Sequence, residues 1–361
     1  MYYLFFYTLE IGIRFKVWYS KVWRIYMIEN KYLGKQINLE ELLSKHKIDV
    51  TLEQIKKMYN HHSKFYHNFA HIEHLLSIVE IEDDKLVIAI LFHDIMFDVK
   101  CDNHEKASAE FFKTHCFGEH DFKAKVYDLI MATENIGYKG DSLTKEIIRV
   151  DRLILHKTDI NSLLTWEHNI FSEHQYLPIK EYKKGRVAFL NRAFEETGNN
   201  TLLELRDIVA EKVYKIGFYP GSFNPFHIGH YNILMKSEKS FDKVVIGVGV
   251  NYDKKDIDKV EIPDMIKNRE IVYYNGLITT AIQSLSEHGE VFVVRGLRNA
   301  YDLQHEEGLR NVIKDFLPDQ EFVYYFCDKE YEHISSSLIR DIQSRGKTSV
   351  GFQMTKKYLL E

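Results

Sequence analysis

The sequence has few of the residues that mark cross-linked or flexible proteins. It contains five prolines and three cysteines in 361 residues. Cys101, Cys116 and Cys327 form no C-x-x-C pair and are too few for a disulfide framework, so we expect a reducing, cytoplasmic environment. No low-complexity run is present, which argues against long flexible linkers.

Strong charge of one sign and long apolar segments are also scarce. The net charge of −5 offers no basic surface that could follow a nucleic-acid backbone. Residues 1–26 are rich in aromatics, but charged residues interrupt them before a membrane span is reached, and no signal-peptide pattern is present. We expect an extension that the fold does not need, with an amphipathic surface helix left open. Small molecules, and neither nucleic acid nor membrane, are the expected partners.

The remaining sequence predicts two domains. Its length is about twice the usual domain size of roughly 150 residues. Residues 38–210 show helical spacing of apolar residues almost throughout, which predicts an all-α domain over 27–212. From Tyr214 onward, short apolar and β-branched runs alternate with helical segments: KIGFYPGSF, FDKVVIGVGV, EIVYYNG, GEVFVVRG and EFVYYFCD. That alternation predicts an α/β doubly wound parallel sheet over 213–361.

The first of these strands leads into a motif suited to phosphate. In GFYPGSFNPFHIGHYNILM, His227 and His230 stand at the expected start of a helix, three residues apart. A helix N-terminus at the carboxyl end of a parallel strand attracts anions, and two imidazoles there can donate hydrogen bonds to a phosphate. The alternative is a capped helix whose histidines are incidental.

Two later segments supply further groups for phosphate. In VVRGLRNAYDLQHE, Arg295 ends a strand and Arg298 follows it, where guanidinium groups can bind phosphate oxygens in pairs. In HISSSLIRDI, Ser335 to Ser337 open a helix. A surface salt bridge would explain the arginines differently, and helix capping alone explains one of the serines.

In this order the three segments resemble the nucleotidyltransferases with an H-x-G-H signature, and in particular the phosphopantetheine adenylyltransferases. The resemblance covers roughly residues 215–361. It implies a Rossmann-like domain that transfers an adenylyl group from ATP, with Mg²⁺, to a phosphorylated small molecule. The acceptor would be 4′-phosphopantetheine, giving dephospho-CoA and pyrophosphate. Nicotinamide mononucleotide is the alternative acceptor, because related enzymes share the signature.

The resemblance also implies residue roles. The catalytic residues would be His227, His230, Lys254 and Arg295. The nucleotide would be bound by Ser222, Phe223, Arg298, Glu306, Ser335, Ser336 and Ser337. The sequence departs from the family pattern at Asn224, His305 and Ile313, and Ile313 stands where an asparagine near the pantetheine arm is expected. The residues expected to bind the acceptor therefore differ more from the family pattern than those expected to bind ATP.

The helical half carries a histidine-rich segment. HHSKFYHNFAHIEHLL places His67, His71 and His74 on one face if the helix is continuous. The pair His93–Asp94 and the residue Asp151 each interrupt an apolar run, where burial without a partner is costly. Binding of a metal ion would compensate that cost. The alternative for any single histidine is a solvated or otherwise satisfied side chain.

These segments resemble the HD superfamily of metal-dependent phosphohydrolases, in YHNFAHI, FHDIMFD, HEKASAEF and EYKKGRVAFLNRAF, over roughly residues 50–200. The resemblance implies that a divalent ion such as Mn²⁺, Fe²⁺ or Mg²⁺ is bound by His71, His93, Asp94 and Asp151. His67 and Glu105 would lie near the substrate or water. An expected threonine-x-x-histidine is absent from MATENIG. The chain is thus either a bifunctional enzyme or a transferase with a non-catalytic nucleotide-binding or regulatory module, and a homo-oligomer is left open.

Overall fold

A computed structural model describes residues 31–32, 35–134, 140–250, 262–345 and 358–359. Residues 1–26 and Lys254 lie outside this part, so the predictions made for them stay predictions. The chain divides into two compact units, residues 1–154 and 155–361. Within the described part, no helix has the length and apolar character needed to cross a membrane.

The first unit is mainly helical. A two-residue strand, β1 (Lys31–Tyr32), pairs antiparallel with β2 (Lys35–Gln36). Seven helices follow among the described residues: α1 (Leu39–Lys45), α2 (Leu52–Tyr59), α3 (Phe69–Ile78), α4 (Asp84–Phe92), α5 (His104–His115), α6 (His120–Met131) and α7 (Ser142–Asp151). The apolar run of α4 is buried from Leu86 to Phe92, so this helix forms the centre of the core.

Local sequence explains where these helices begin. Thr51 and Gln54 form a reciprocal capping box at the start of α2. Asn68, Asp83 and Asp141 each accept a backbone N–H in the first turn of the helix that follows them. Each such cap satisfies a donor that the helix itself leaves unpaired, which fixes the chain direction into the core.

The second unit begins with three helices: α8 (Ile160–Glu173), α9 (Ile179–Thr197) and α10 (Asn200–Glu211). The change from helix to strand near residue 212 falls where the sequence predicts it, but the compact unit already begins at residue 155. The domain boundary predicted near 212 therefore differs from the division by contacts. The three helices cluster with the sheet that follows them.

A buried lysine explains this association. Lys243 is only 1% exposed, and its Nζ donates to the backbone carbonyls of Gln175 and Leu177, each at 2.6 Å. The same Nζ lies 2.9 Å from a carboxylate oxygen of Glu270. Phe171 also packs against Tyr214, with ring centroids 4.9 Å apart. The loop between α8 and α9 is thus bound directly to the base of the sheet.

The sheet has five parallel strands in the order β5-β4-β3-β6-β7. They are β3 (Tyr214–Gly221), β4 (Lys243–Gly249), β5 (Ile271–Tyr274), β6 (Gly289–Leu297) and β7 (Glu321–Phe326). The helices between and after them are α11 (Ile228–Ser237), α12 (Ile278–Ser286), α13 (Ala300–Phe316) and α14 (Ser336–Arg345). The predicted doubly wound parallel sheet is confirmed. The strand order reverses between β3 and β6, which is where such sheets bind ligands.

Candidate active site and candidate metal centre

A cleft of about 320 Å³ opens beyond the carboxyl ends of β3, β6 and β7. It brings together nine of the residues predicted to act on ATP or the acceptor: Ser222, Phe223, His227, His230, Arg295, Arg298, Glu306, Ser335 and Ser336. Ser337 is exposed and is not among the lining residues. The prediction for Lys254 cannot be placed, since that residue lies outside the described part.

His227 and His230 form a stacked pair at the start of α11. His227 is the N-cap, and its Nδ1 accepts the N–H of Gly229 at 3.1 Å. Nδ1 of His230 accepts the N–H of His227 at 3.3 Å, and the two ring centroids are 3.7 Å apart. A side chain at position 229 would lie 3.0 Å from the His227 ring, so the glycine allows the pair to form.

Burial determines the charge of both histidine rings, and their hydrogen bonds determine which nitrogen carries the proton. Burial and, to a smaller degree, the nearby Arg298 guanidinium lower the pKa of His227 to about 4. Burial and the neighbouring His227 lower the pKa of His230 well below its usual range. Both imidazoles are therefore neutral near pH 7. Since each Nδ1 accepts a backbone N–H, each Nε2 carries the proton and is a hydrogen-bond donor.

Arg295 occupies the middle of the cleft. Its Nε and Nη2 donate to the two carboxylate oxygens of Glu306 at 2.5 and 2.6 Å, and its Nη1 donates to the carbonyl of Pro220 at 2.7 Å. This arrangement differs from the roles implied by the resemblance, in which Glu306 approaches the nucleotide. Arg298 is more exposed and forms a bidentate pair with Asp302, at 2.9 and 3.0 Å.

The serines at the start of α14 separate into different roles. Ser335 accepts a backbone N–H in the first turn and so caps the helix. Ser336 donates to the carbonyl of Pro225 at 3.0 Å, which joins the helix to the loop before His227. Ser337 accepts from Arg340, and Arg340 also donates to the carbonyl of Asn224. Two loops distant in sequence are thereby held on one side of the cleft.

Phe223 lies beneath the cleft. It is 2% exposed, has a positive φ of 45°, and meets the His230 ring edge to face, with centroids 5.0 Å apart. Gly221 makes room for it, because a Cβ there would lie 2.8 Å from the Phe223 ring. Phe223 therefore supports the histidine pair from within the core.

Sequence reasoning missed several supporting groups. Asp302, four residues after Arg298 at the start of a helix, was recognisable from i,i+4 spacing. Asp328 binds Lys236 and Asn232, each at 2.7 Å, which holds the loop after β7 against α11. No local pattern signals this contact, because its partners are more than 90 residues apart.

A second cavity, of about 220 Å³, adjoins Arg295. Apart from that arginine its walls are mainly apolar, with Tyr274, Leu277, Ile278, Leu309, Val312, Ile313 and Phe316 among the lining residues. Ile313 is 1% exposed and offers no hydrogen bond through its side chain. Arg295 therefore lines both the polar cleft and an apolar cavity.

A parallel sheet with this cleft at its switch point defines a nucleotidyltransferase, and residues 218–342 match the family model described as cytidylyltransferase-like. The phosphopantetheine adenylyltransferase of Clostridium botulinum (strain Alaska E43 / Type E3) is 33% identical over 140 residues, covering 37% of this chain and 86% of that protein. The enzyme of Mycoplasma capricolum is 40% identical over 137 residues, covering 36% of this chain and 96% of that protein. The enzyme of Cytophaga hutchinsonii is 36% identical over 147 residues, covering 38% of this chain and 95% of that protein. Through its C-terminal segment the chain belongs to the phosphopantetheine adenylyltransferase family.

The helical unit contains a compact group of metal-binding side chains. One ligand atom from each of His71, His93 and Asp94 lies within 4.8 Å of the others, and all three residues are buried. Asp151, the last residue of α7, places Oδ1 3.6 Å from Nε2 of His93. The four residues that the resemblance implied as ligands are thus brought together from two helices, α3 and α7, and from the turn after α4.

The donor atoms of this group fit a divalent cation. Nε2 of His71 is buried and has no hydrogen-bond partner in the described part of the chain, whereas Nε2 of His93 lies 3.0 Å from a carboxylate oxygen of Asp94. Nδ1 of His93 donates to the carbonyl of Ile90 at 2.9 Å, so a cation would be bound through Nε2, where it would take the place of a proton shared with the carboxylates of Asp94 and Asp151. Burial also lowers the pKa of His71 well below its usual range, which favours the neutral form that binds metals.

His67, His74 and Glu105, the other residues singled out in this unit, do not form a group with the candidate metal ligands. The helix face expected to carry three histidines is interrupted, since α3 begins at Phe69 and His67 precedes it. His74 is exposed, whereas the His67 ring stacks on Phe97 with centroids 3.7 Å apart and lies 6.1 Å from the His71 ring. Glu105 pairs with His104 at 3.0 Å.

Proposed function

We propose that the second unit transfers the adenylyl group of ATP to 4′-phosphopantetheine, producing dephospho-CoA and pyrophosphate. The observation that carries this proposal is the meeting of the polar cleft and the apolar cavity at Arg295. One side offers donors for a triphosphate, and the other offers room for the arm of a phosphorylated acceptor. The similarity to phosphopantetheine adenylyltransferases supports the same reaction.

In this mechanism the triphosphate of ATP, with Mg²⁺, occupies the cleft. The neutral His227 and His230 donate hydrogen bonds from Nε2 to phosphate oxygens, and the N-termini of α11 and α14 add favourable dipoles. An oxygen of the acceptor phosphate, oriented by Arg295, forms the new bond to the α-phosphorus. The bond from that phosphorus to the bridging oxygen of the β-phosphate breaks, and pyrophosphate leaves.

The apolar cavity supports an acceptor with an extended arm. Leu309, Val312 and Phe316 provide an apolar wall along α13, and Ile313 provides contact without a hydrogen bond. Nicotinamide mononucleotide is the second candidate, because its phosphate would also reach Arg295. Its carboxamide requires hydrogen-bond partners, which the mainly apolar walls supply poorly.

The test is pyrophosphate release by the full chain with ATP, Mg²⁺ and each acceptor in turn. We expect turnover with 4′-phosphopantetheine and much less with nicotinamide mononucleotide. His230→Ala should lower kcat by orders of magnitude and leave the fold intact, since an imidazole donor to the transferring phosphate is lost. Half-buried His288, which precedes β6 at the opposite end of that strand from Arg295, provides the matched control, His288→Ala. Equal turnover in wild type and His230→Ala would contradict the proposal.

For the first unit we propose a metal-dependent phosphohydrolase, with a divalent ion bound by His71, His93, Asp94 and Asp151. The unpartnered Nε2 of His71, close to Nε2 of His93 and to the buried carboxylate of Asp94, favours this function. An ion bound there would lower the pKa of a coordinated water for attack on a phosphate ester. In this proposal His67, whose ring centroid is 6.1 Å from that of His71, and Glu105 would contact the substrate or this water.

Metal analysis of the purified full chain tests the centre, and a panel of nucleotides and phosphate esters tests the activity. Asp94→Ala should remove the bound ion and any phosphatase activity while adenylyl transfer persists. Exposed Asp98 offers the control variant Asp98→Ala. A bound ion without hydrolysis would favour the non-catalytic module. Absence of any ion from the wild type would refute the metal centre.

A further inference from the structure

Glu306 is placed to act on an arginine rather than on a substrate. It lies on the second turn of α13, is 8% exposed, and directs both carboxylate oxygens at Arg295. A bidentate pair of this kind fixes the plane of the guanidinium group as well as its position.

The same contacts determine which donors of Arg295 remain. A guanidinium group has five N–H donors. Glu306 engages one on Nε and one on Nη2, and the carbonyl of Pro220 engages one on Nη1. One N–H on each Nη atom is left among the contacts of the described residues. Guanidinium N–H donors of this kind bind phosphate oxygens well.

We infer that Glu306 is the positioning residue of this site, holding Arg295 so that its two remaining N–H donors receive the acceptor phosphate where the polar cleft meets the apolar cavity. The inference rests on the proposed adenylyl transfer. The resemblance implied a contact of Glu306 with the adenine nucleotide, and the experiment below distinguishes that contact from the positioning role. Without the carboxylate, the side chain of Arg295 gains rotational freedom. Binding of the acceptor must then restrict that freedom, which costs conformational entropy.

The test compares Glu306→Gln with Glu307→Gln in the full chain. Glu307 is the next residue of the same helix and is exposed, so it controls for the loss of one charge on α13. Loss of a charge-assisted hydrogen bond and of orientation should lower kcat/KM for the acceptor by about ten- to a hundredfold. The KM for ATP should stay within about twofold, because the ATP contacts are unchanged.

Two outcomes would overturn the inference. If Glu306→Gln raises the KM for ATP and leaves that for the acceptor unchanged, Glu306 contacts the nucleotide. If Glu306→Gln behaves like Glu307→Gln, the ion pair between Glu306 and Arg295 does not position Arg295 for the acceptor. Should Glu306→Gln fail to fold, Glu306→Asp keeps the charge and should weaken the acceptor interaction to a smaller degree.

Calorimetric binding of 4′-phosphopantetheine separates this inference from the proposed reaction. A wild type that binds the compound without turnover refutes the proposed function, while the loss of affinity in Glu306→Gln still supports the positioning role. Arg295→Lys should weaken binding strongly in the wild type and only slightly in the Glu306→Gln background. Equal effects in the two backgrounds, or a wild type that binds nothing, would overturn the inference.

Discussion

Replacing Lys243 by methionine should destabilise the second unit strongly, even though this residue is remote from both cavities. The side chain is fully buried and has three polar partners: the carbonyls of Gln175 and Leu177 and the carboxylate of Glu270. Methionine has a similar length, so little cavity is created. The variant leaves a nearly buried carboxylate and two carbonyls without their cation.

Breaking a buried ion pair by removing one partner costs about 3–5 kcal/mol. We therefore expect the free energy of unfolding to fall by about that amount in urea titrations of the full chain at pH 7, followed by circular dichroism. Lys239→Met, at an exposed position after α11, is the matched control and should change it by less than about 0.5 kcal/mol.

The double variant Lys243→Met/Glu270→Gln should be more stable than Lys243→Met alone, because it removes the uncompensated carboxylate. A loss below about 1 kcal/mol in the single variant would refute the reasoning. It would mean that α8 to α10 do not depend on the sheet for their position, and a boundary near residue 212 would regain support.

Three further predictions concern the two sites. His227→Asn keeps an acceptor at the helix N-cap but removes a titrating group. The pKa of His227 is about 4 in the fold and 6.5 when unfolded. In urea titrations the wild type should therefore lose about 2 kcal/mol more stability than the variant when the pH falls from 7 to 5. An equal loss in the two proteins would contradict the lowered pKa. Gly229→Ala should reduce adenylyl transfer more than thermal stability, since its Cβ would press on the His227 ring; unchanged kcat would exclude a need for that packing. Tyr59→Phe should weaken metal binding in the first unit by about ten- to a hundredfold in equilibrium dialysis, because the buried hydroxyl donates to Leu91 and accepts the Asp94 N–H. Unaltered metal affinity would show that the turn carrying His93 and Asp94 does not need the Tyr59 hydroxyl.

The sheet and the composition of its cleft could be predicted because their signals are local. Each of the five strands is a short apolar run, and a continuous run such as β4 is buried along nearly its whole length. The residues that line the cleft follow β3 and β6 directly or open α14. In a parallel sheet the carboxyl ends of strands meet at one edge, so strand prediction alone places these residues together.

Contacts between distant segments were beyond this reasoning. The partners of Lys243 lie 66 and 68 residues earlier in a loop between two helices, and no periodicity relates them. The helix start at Phe69 was likewise decided by Asn68, whose side chain caps the helix and leaves His67 outside it. The sequence contained this N-cap signal, but the histidine spacing was interpreted without it.

The acceptor was harder to predict than the reaction for a related reason. Adenylyl transfer requires donors around a triphosphate, and these come from short motifs at strand ends. Selection of the acceptor depends on walls that α12, α13 and β5 build jointly around Arg295, and no single motif contains them. A change such as asparagine to Ile313 alters those walls without disturbing any group in the polar cleft. The identity of the acceptor is therefore decided by packing around one arginine whose orientation Glu306 controls.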